Sequence, residues 1–122
     1  MTKILVAEDD AIMLASITHI LKQEGFEVIT AENGREAMEV FENDKFDLII
    51  TDILMPFNSG LEFLNVIRNN SDAVPVIVLS ALDEEDTVLE AFNLGADDFL
   101  TKPVKPGELS IRVKRLMKKN KK

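Results

Sequence analysis

Five short apolar blocks recur along the chain: Ile4–Ala7, Phe26–Thr30, Leu48–Thr51, Val76–Leu79 and Asp98–Leu100. They are rich in Ile and Val, and several carry no polar alternation, as expected of strands buried on both faces. The stretches between them have helical spacing. Leu14, Ile17 and Leu21 fall on one stripe, Ala37, Met38 and Phe41 on a second, and Phe63, Leu64 and Ile67 on a third. Val88, Ala91 and Phe92 make a fourth, and Leu109, Val113, Leu116 and Met117 a fifth. Gly25 and Gly95 stand where helices should end, and Pro106 suits a first helical turn. Strand–helix units repeated five times predict an α/β sandwich with a parallel sheet, for which right-handed crossovers leave few topologies. In such sheets ligands bind beyond the carboxyl ends of the strands.

At 122 residues, 46% of them hydrophobic, the chain suffices for one domain (1–122) with a sizeable core and is too short for two. No apolar run approaches the roughly 20 residues of a membrane-spanning helix. Met1-Thr2-Lys3 runs straight into the first block, leaving no room for a signal peptide. The sequence has no cysteine, so a disulfide framework and thiolate chemistry are excluded and a reducing cytoplasm is expected. The net charge of −8 is uneven. Residues 112–122 hold seven of the 14 basic groups and no acid, which leaves the preceding 111 residues with 7 basic against 22 acidic groups, a balance of −15. Such a body repels nucleic acid, so direct binding by the core is not expected. The basic end reads as a solvated helix face, with 118–122 suited to the start of a linker.

The polar residues that follow the apolar blocks carry the chemistry. Glu8, Asp9 and Asp10 follow the first, Thr51 and Asp52 the third, Ser80 the fourth, and Thr101-Lys102-Pro103 the fifth. Clustered carboxylates repel unless they take up a proton or a counter-cation. A hard dication held by oxygens answers that, and Mg²⁺ normally takes one or two carboxylates with waters and a phosphate. A carboxylate nucleophile beside a metal, a lysine and a hydroxyl is an arrangement for phosphoryl transfer.

The runs Leu5-Val6-Ala7-Glu8-Asp9-Asp10, Thr51-Asp52-Ile53-Leu54-Met55-Pro56 with Gly60-Leu61-Glu62, Ser80-Ala81, and Gly95-Ala96-Asp97-Asp98-Phe99-Leu100-Thr101-Lys102-Pro103 follow in order. Together they resemble the receiver domain of two-component response regulators, akin to chemotaxis receivers and most similar to receivers of winged-helix transcriptional regulators. The resemblance implies a doubly wound, flavodoxin-like parallel sheet of order 2-1-3-4-5 flanked by five helices. It also implies that Asp52 accepts a phosphoryl group from a histidine kinase or phosphotransfer protein. Glu8, Asp9, Asp52 and the Leu54 carbonyl would hold Mg²⁺, for which Mn²⁺ could substitute, with Glu8 acting through water. Lys102 would pair with a phosphoryl oxygen, aimed into the crevice by a cis Lys102–Pro103 bond. Ser80 would swing toward the phosphoryl group and Phe99 would turn inward. Such a domain is a switch that takes part in its own phosphorylation and slow dephosphorylation, and is not otherwise an enzyme. The last third is similar to receivers that dimerise through their fourth and fifth helices and fifth strand, where Asp97 and Asp98 would meet Arg115 and Arg112 of a twofold mate. The fourth helix, however, has no Lys or Arg to meet Glu108.

Two departures stand out. Receivers often carry Met-Asp-Gly where this chain has Asn58-Ser59-Gly60. Leu54 and Leu82, two beyond Asp52 and Ser80, cannot orient a water, which predicts a long-lived phosphorylated form. His19 is the only histidine and reads as an ordinary side chain of the first helix. A phosphatase with an aspartate nucleophile would want an acid at position 54, and a flavin site would want Ser, Thr and Gly where Glu8-Asp9-Asp10 stand. The remaining rival, a phosphorylation-independent interaction module, is opposed by the intact acid set and Lys102.

Overall fold

The computed structural model describes residues 2–70, 73–81 and 85–120. Among these, five strands alternate with five helices: β1 (Lys3–Ala7), α1 (Ala11–Gln23), β2 (Glu27–Ala31), α2 (Gly34–Asn43), β3 (Leu48–Asp52), α3 (Gly60–Asn70), β4 (Val76–Ser80), α4 (Glu85–Asn93), β5 (Asp98–Thr101) and α5 (Pro106–Asn120). The strands pair in parallel in the order β2-β1-β3-β4-β5. The expected architecture and strand order are observed.

Side chains alternate across a strand, so each strand feeds two cores. Ile4 and Val6 of β1 join Ile50, Ile77 and Leu79 beneath α1 and α5, while Leu5 and Ala7 join Ile49, Val76 and Val78 beneath α2, α3 and α4. This two-sided burial explains the unbroken apolar runs: every residue of β3 and β4 is buried. Each such Leu or Ile stabilises the fold by roughly 1.5–3 kcal/mol. β2 lies at the sheet edge and is only partly buried.

The strands extend the apolar blocks by a residue at one end or shift by one, and two departures from the sequence pattern have identifiable reasons. Phe26 belongs to the turn that closes α1 rather than to β2. Gly25 adopts φ +92°, and the Phe26 amide donates to the Leu21 carbonyl at 3.1 Å, closing a Schellman turn before the chain extends. On α4, Ala91 meets the sheet, but Phe92 turns outward with 43% of its surface exposed, beside an exposed Leu89. Alanine lets the helix approach closely, and the bulkier ring is displaced to the rim.

Candidate functional site

The register sets the site. Ala7 pairs with Thr51, Asp52 with Leu79, and Ser80 with Thr101, so the residues that end β1, β3, β4 and β5 open onto one crevice. Glu8 is buried, Asp52 retains 4% exposure, and Asp9 is exposed at the mouth. Carboxylate oxygens of these three lie within 4.8 Å of one another. The Lys102 ammonium stands 2.8 Å from Asp52 Oδ2 and 3.0 Å from Glu8 Oε1. The Lys102 amide donates to the Ser80 carbonyl at 2.9 Å, tying it to the end of β4, and the Lys102–Pro103 bond is cis. The Ile53 amide donates to Asp52 Oδ1 at 2.8 Å and fixes the orientation of that carboxylate.

Asp10 faces a different task. Its Oδ1 accepts from the Ile12 and Met13 amides at 2.9 and 3.1 Å, capping α1, and its own amide donates to Glu8 Oε2 at 3.0 Å. Burial raises the Glu8 carboxyl above the ordinary range; the Asp10 amide and Lys102 pull it back without cancelling the effect. Burial alone would lower the Lys102 ammonium, but its hydrogen bond to Asp52 and the Glu8 carboxylate beside it outweigh this and hold it above its usual value. Among the described residues, buried Glu8 Oε1 takes no aligned hydrogen bond and is met by the Lys102 ammonium at 3.0 Å. Three carboxylates with spare lone pairs, donating only oxygen, make an acidic cluster fit for a hard cation.

Ser80 is buried at the end of β4, one position past the partner of Asp52. Phe99 is half-buried and packs against the core beneath α2, α3 and α4. Leu54 is exposed, whereas Leu82 lies outside the described residues. Asp98 takes Arg112 and Arg115 of its own chain at 2.6 and 3.5 Å. Asp97 accepts from Arg68 and from the Val76 amide, both at 2.8 Å. The structure thus engages all four residues of the anticipated dimer face, or their partners, within one chain. Arg68 was not anticipated. It also donates to the Gly95 and Val74 carbonyls and ties α3 to the starts of β4 and β5.

The Asn58-Ser59-Gly60 departure has a local explanation. Ser59 caps α3 reciprocally: its hydroxyl accepts from the Glu62 amide at 3.2 Å, and Glu62 Oε1 accepts from the Ser59 amide at 2.8 Å. Ser59→Ala is expected to cost about 1 kcal/mol in urea denaturation, and Ser59→Asp to retain most of the stability.

Residues 4–114 match the response regulator receiver domain. The chain belongs to that family. The receiver is 36% identical over 118 residues to the alkaline phosphatase synthesis transcriptional regulatory protein PhoP of Bacillus subtilis, covering 97% of this chain and 49% of that one. It is 41% identical over 116 residues to the response regulator RR06 of Streptococcus pneumoniae, covering 95% and 53%. The chain therefore spans about half the length of these curated relatives. The solved receiver domain of the Francisella response regulator 1452 superposes with a TM-score of 0.94 at 36% identity, covering 99% of this chain and all of that one. No helix among the described residues is long and apolar enough to cross a membrane.

Proposed function

We propose that the receiver accepts a phosphoryl group on Asp52 in a Mg²⁺-dependent reaction and thereby switches what it binds. The observation that carries this reading is the nearly buried Asp52 carboxylate, flanked by Lys102 at 2.8 Å and by the Glu8 and Asp9 carboxylates. The donor is a phosphohistidine on a sensor kinase or phosphotransfer protein, or a small acyl phosphate. An oxygen of Asp52 attacks phosphorus in line; the new O–P bond forms as the P–N or P–O bond to the donor breaks, and the leaving group keeps the electron pair. Lys102, now paired with Asp52, turns to an incoming phosphoryl oxygen and neutralises part of its charge. Asp9 and Asp52 would hold Mg²⁺, with Glu8 acting through water and Leu54 lending its carbonyl; Mn²⁺ could substitute. The bound ion supplies further neutralisation of phosphoryl charge.

The Ser80 hydroxyl then moves to the phosphoryl group and Phe99 fills the space this opens. Local charge is thereby converted into a change of the α4–β5–α5 face. Homodimerisation through that face requires Asp97 and Asp98 to exchange Arg68, Arg112 or Arg115 for a mate's side chains. The single domain is read as cytoplasmic and as making no nucleic-acid contact of its own.

The test is intact-mass spectrometry after incubation with acetyl phosphate and Mg²⁺. Gain of one phosphoryl mass, abolished by EDTA and by Asp52→Asn, supports the proposal; gain in the variant defeats it. Leu54, 60% exposed beside the acceptor, offers nothing to orient an attacking water. Leu54→Asn is accordingly expected to speed loss of the phosphoryl group by roughly a factor of ten to a hundred, followed as decay of the phosphorylated mass.

A further inference from the structure

The loop that leaves Asp52 contains a strained turn held from outside. Phe57 adopts φ +73°, and the Asn58 amide donates to the Pro56 carbonyl at 2.9 Å, so Pro56–Phe57–Asn58 is a γ-turn of the rare left-handed kind. A bulky side chain at positive φ persists only where its surroundings over-determine it. Burial does not do so here, because Phe57 is 66% exposed. The counterweights come from the first turn of α2. The Gly34 amide donates to the same Pro56 carbonyl at 3.2 Å. The helix approaches so closely that a Cβ on Gly34 would sit 1.9 Å from the Asn58 carbonyl oxygen. The Arg35 guanidinium lies over the Phe57 ring, 4.2 Å from its centroid, in a cation–π contact.

The same loop carries the Leu54 carbonyl, and Leu54, Pro56 and Phe57 are all exposed. We infer that Arg35 is a positioning residue for the cation site: by stacking on Phe57 it holds the strained turn closed and keeps residues 54–56 in register with Glu8, Asp9 and Asp52. This rests on the reading of those carboxylates as a Mg²⁺ site. It makes a prediction opposite in sign to simple electrostatics. In a chain of net charge −8, deleting a cation should help a dication bind; loss of the clamp should hinder it.

Arg35 is exposed, so its variants retain the fold. Mg²⁺ is titrated calorimetrically into wild type, Arg35→Ala, Arg35→Lys, Phe57→Gly and the double variant Arg35→Ala/Phe57→Gly. Backbone order of residues 54–59 is measured by ¹⁵N relaxation in metal-free protein. Arg35→Ala is expected to weaken Mg²⁺ binding roughly tenfold, the scale for groups that orient metal ligands, with Arg35→Lys recovering part of it. Order parameters of the loop should fall from about 0.85 toward 0.6. Glycine adopts φ +73° without strain, so Arg35→Ala should cost nothing further in the Phe57→Gly background. Unchanged or tighter binding by Arg35→Ala, or an equal loss in both backgrounds, overturns the inference while leaving the Mg²⁺ site standing. A wild type that takes up no Mg²⁺ overturns both, even if the loop loosens as expected.

Discussion

Lys102→Ala is expected to slow phosphorylation of the receiver by about 10²- to 10³-fold while tightening its hold on Mg²⁺. The two effects have one origin. In the resting protein the ammonium bridges Asp52 and Glu8 at 2.8 and 3.0 Å, occupying the carboxylates a metal would use. Removing it frees them for the cation but deletes the donor that would meet charge on the transferring group, a loss of the size seen when one such donor is removed elsewhere. Without metal, the variant leaves two buried carboxylates facing each other with no counter-charge. Breaking a fully buried pair costs about 3–5 kcal/mol. Lys102 keeps 18% of its side chain exposed, so a smaller loss of roughly 2–3 kcal/mol is expected. Urea denaturation with and without Mg²⁺ checks this: the deficit should be large in EDTA and largely restored by the ion. A deficit indifferent to Mg²⁺ would mean that Lys102 packs rather than neutralises.

Gly60→Ala should be among the most damaging single-methyl changes near the site. A Cβ at that position would fall 1.9 Å from the Asp52 carbonyl oxygen and 2.7 Å from its carbon, both backbone atoms of β3 that cannot swing aside. The start of α3 would have to retreat from the strand, breaking the 2.7 Å bond from the Gly60 amide to the Ile53 carbonyl. Overpacking of this kind costs about 3 kcal/mol, which for a chain of this size lowers Tm by roughly 10 °C, and it displaces the Asp52 carboxylate as well. Gly107→Ala is the control: beyond its chain neighbours and its own helix backbone, nothing lies within 4 Å of the added methyl, in the first turn of α5. There, thermal denaturation should show no loss or a gain of about 0.5 kcal/mol.

The acid cluster was legible because the chemistry-bearing residues sit immediately after apolar runs. Parallel strands deliver their carboxyl ends to one side of a sheet whatever the loops do, so Glu8, Asp9, Asp52 and Lys102 could be brought together from spacing alone. Strand order needed the family resemblance, since crossover rules restrict topology without selecting one. What stayed hidden depends on geometry that local pattern does not encode. Helical spacing puts Phe92 on one stripe with Ala91, yet adjacent residues point about 100° apart, and the rotation of the helix decides which of the two meets the sheet. Charge complementarity pairs Arg115 and Arg112 with acids without saying which chain carries them; within one chain, Asp98 meets both from β5. Arg68 stands alone after an apolar stripe, and only the tertiary fold shows that it faces two carbonyls and Asp97. Nothing in Met-Pro-Phe-Asn signals a phenylalanine at positive φ, where glycine or asparagine would be the usual occupant.

The identity of the phosphorylated residue is the decisive measurement. Borohydride reduces an aspartyl phosphate to homoserine, which peptide mass spectrometry locates. After incubation with acetyl phosphate and Mg²⁺, homoserine is expected at position 52 alone, and none when EDTA replaces the ion. Homoserine at position 9 or 10, or a phosphoryl group that survives reduction on a hydroxyl such as Ser80, would contradict Asp52 as the acceptor.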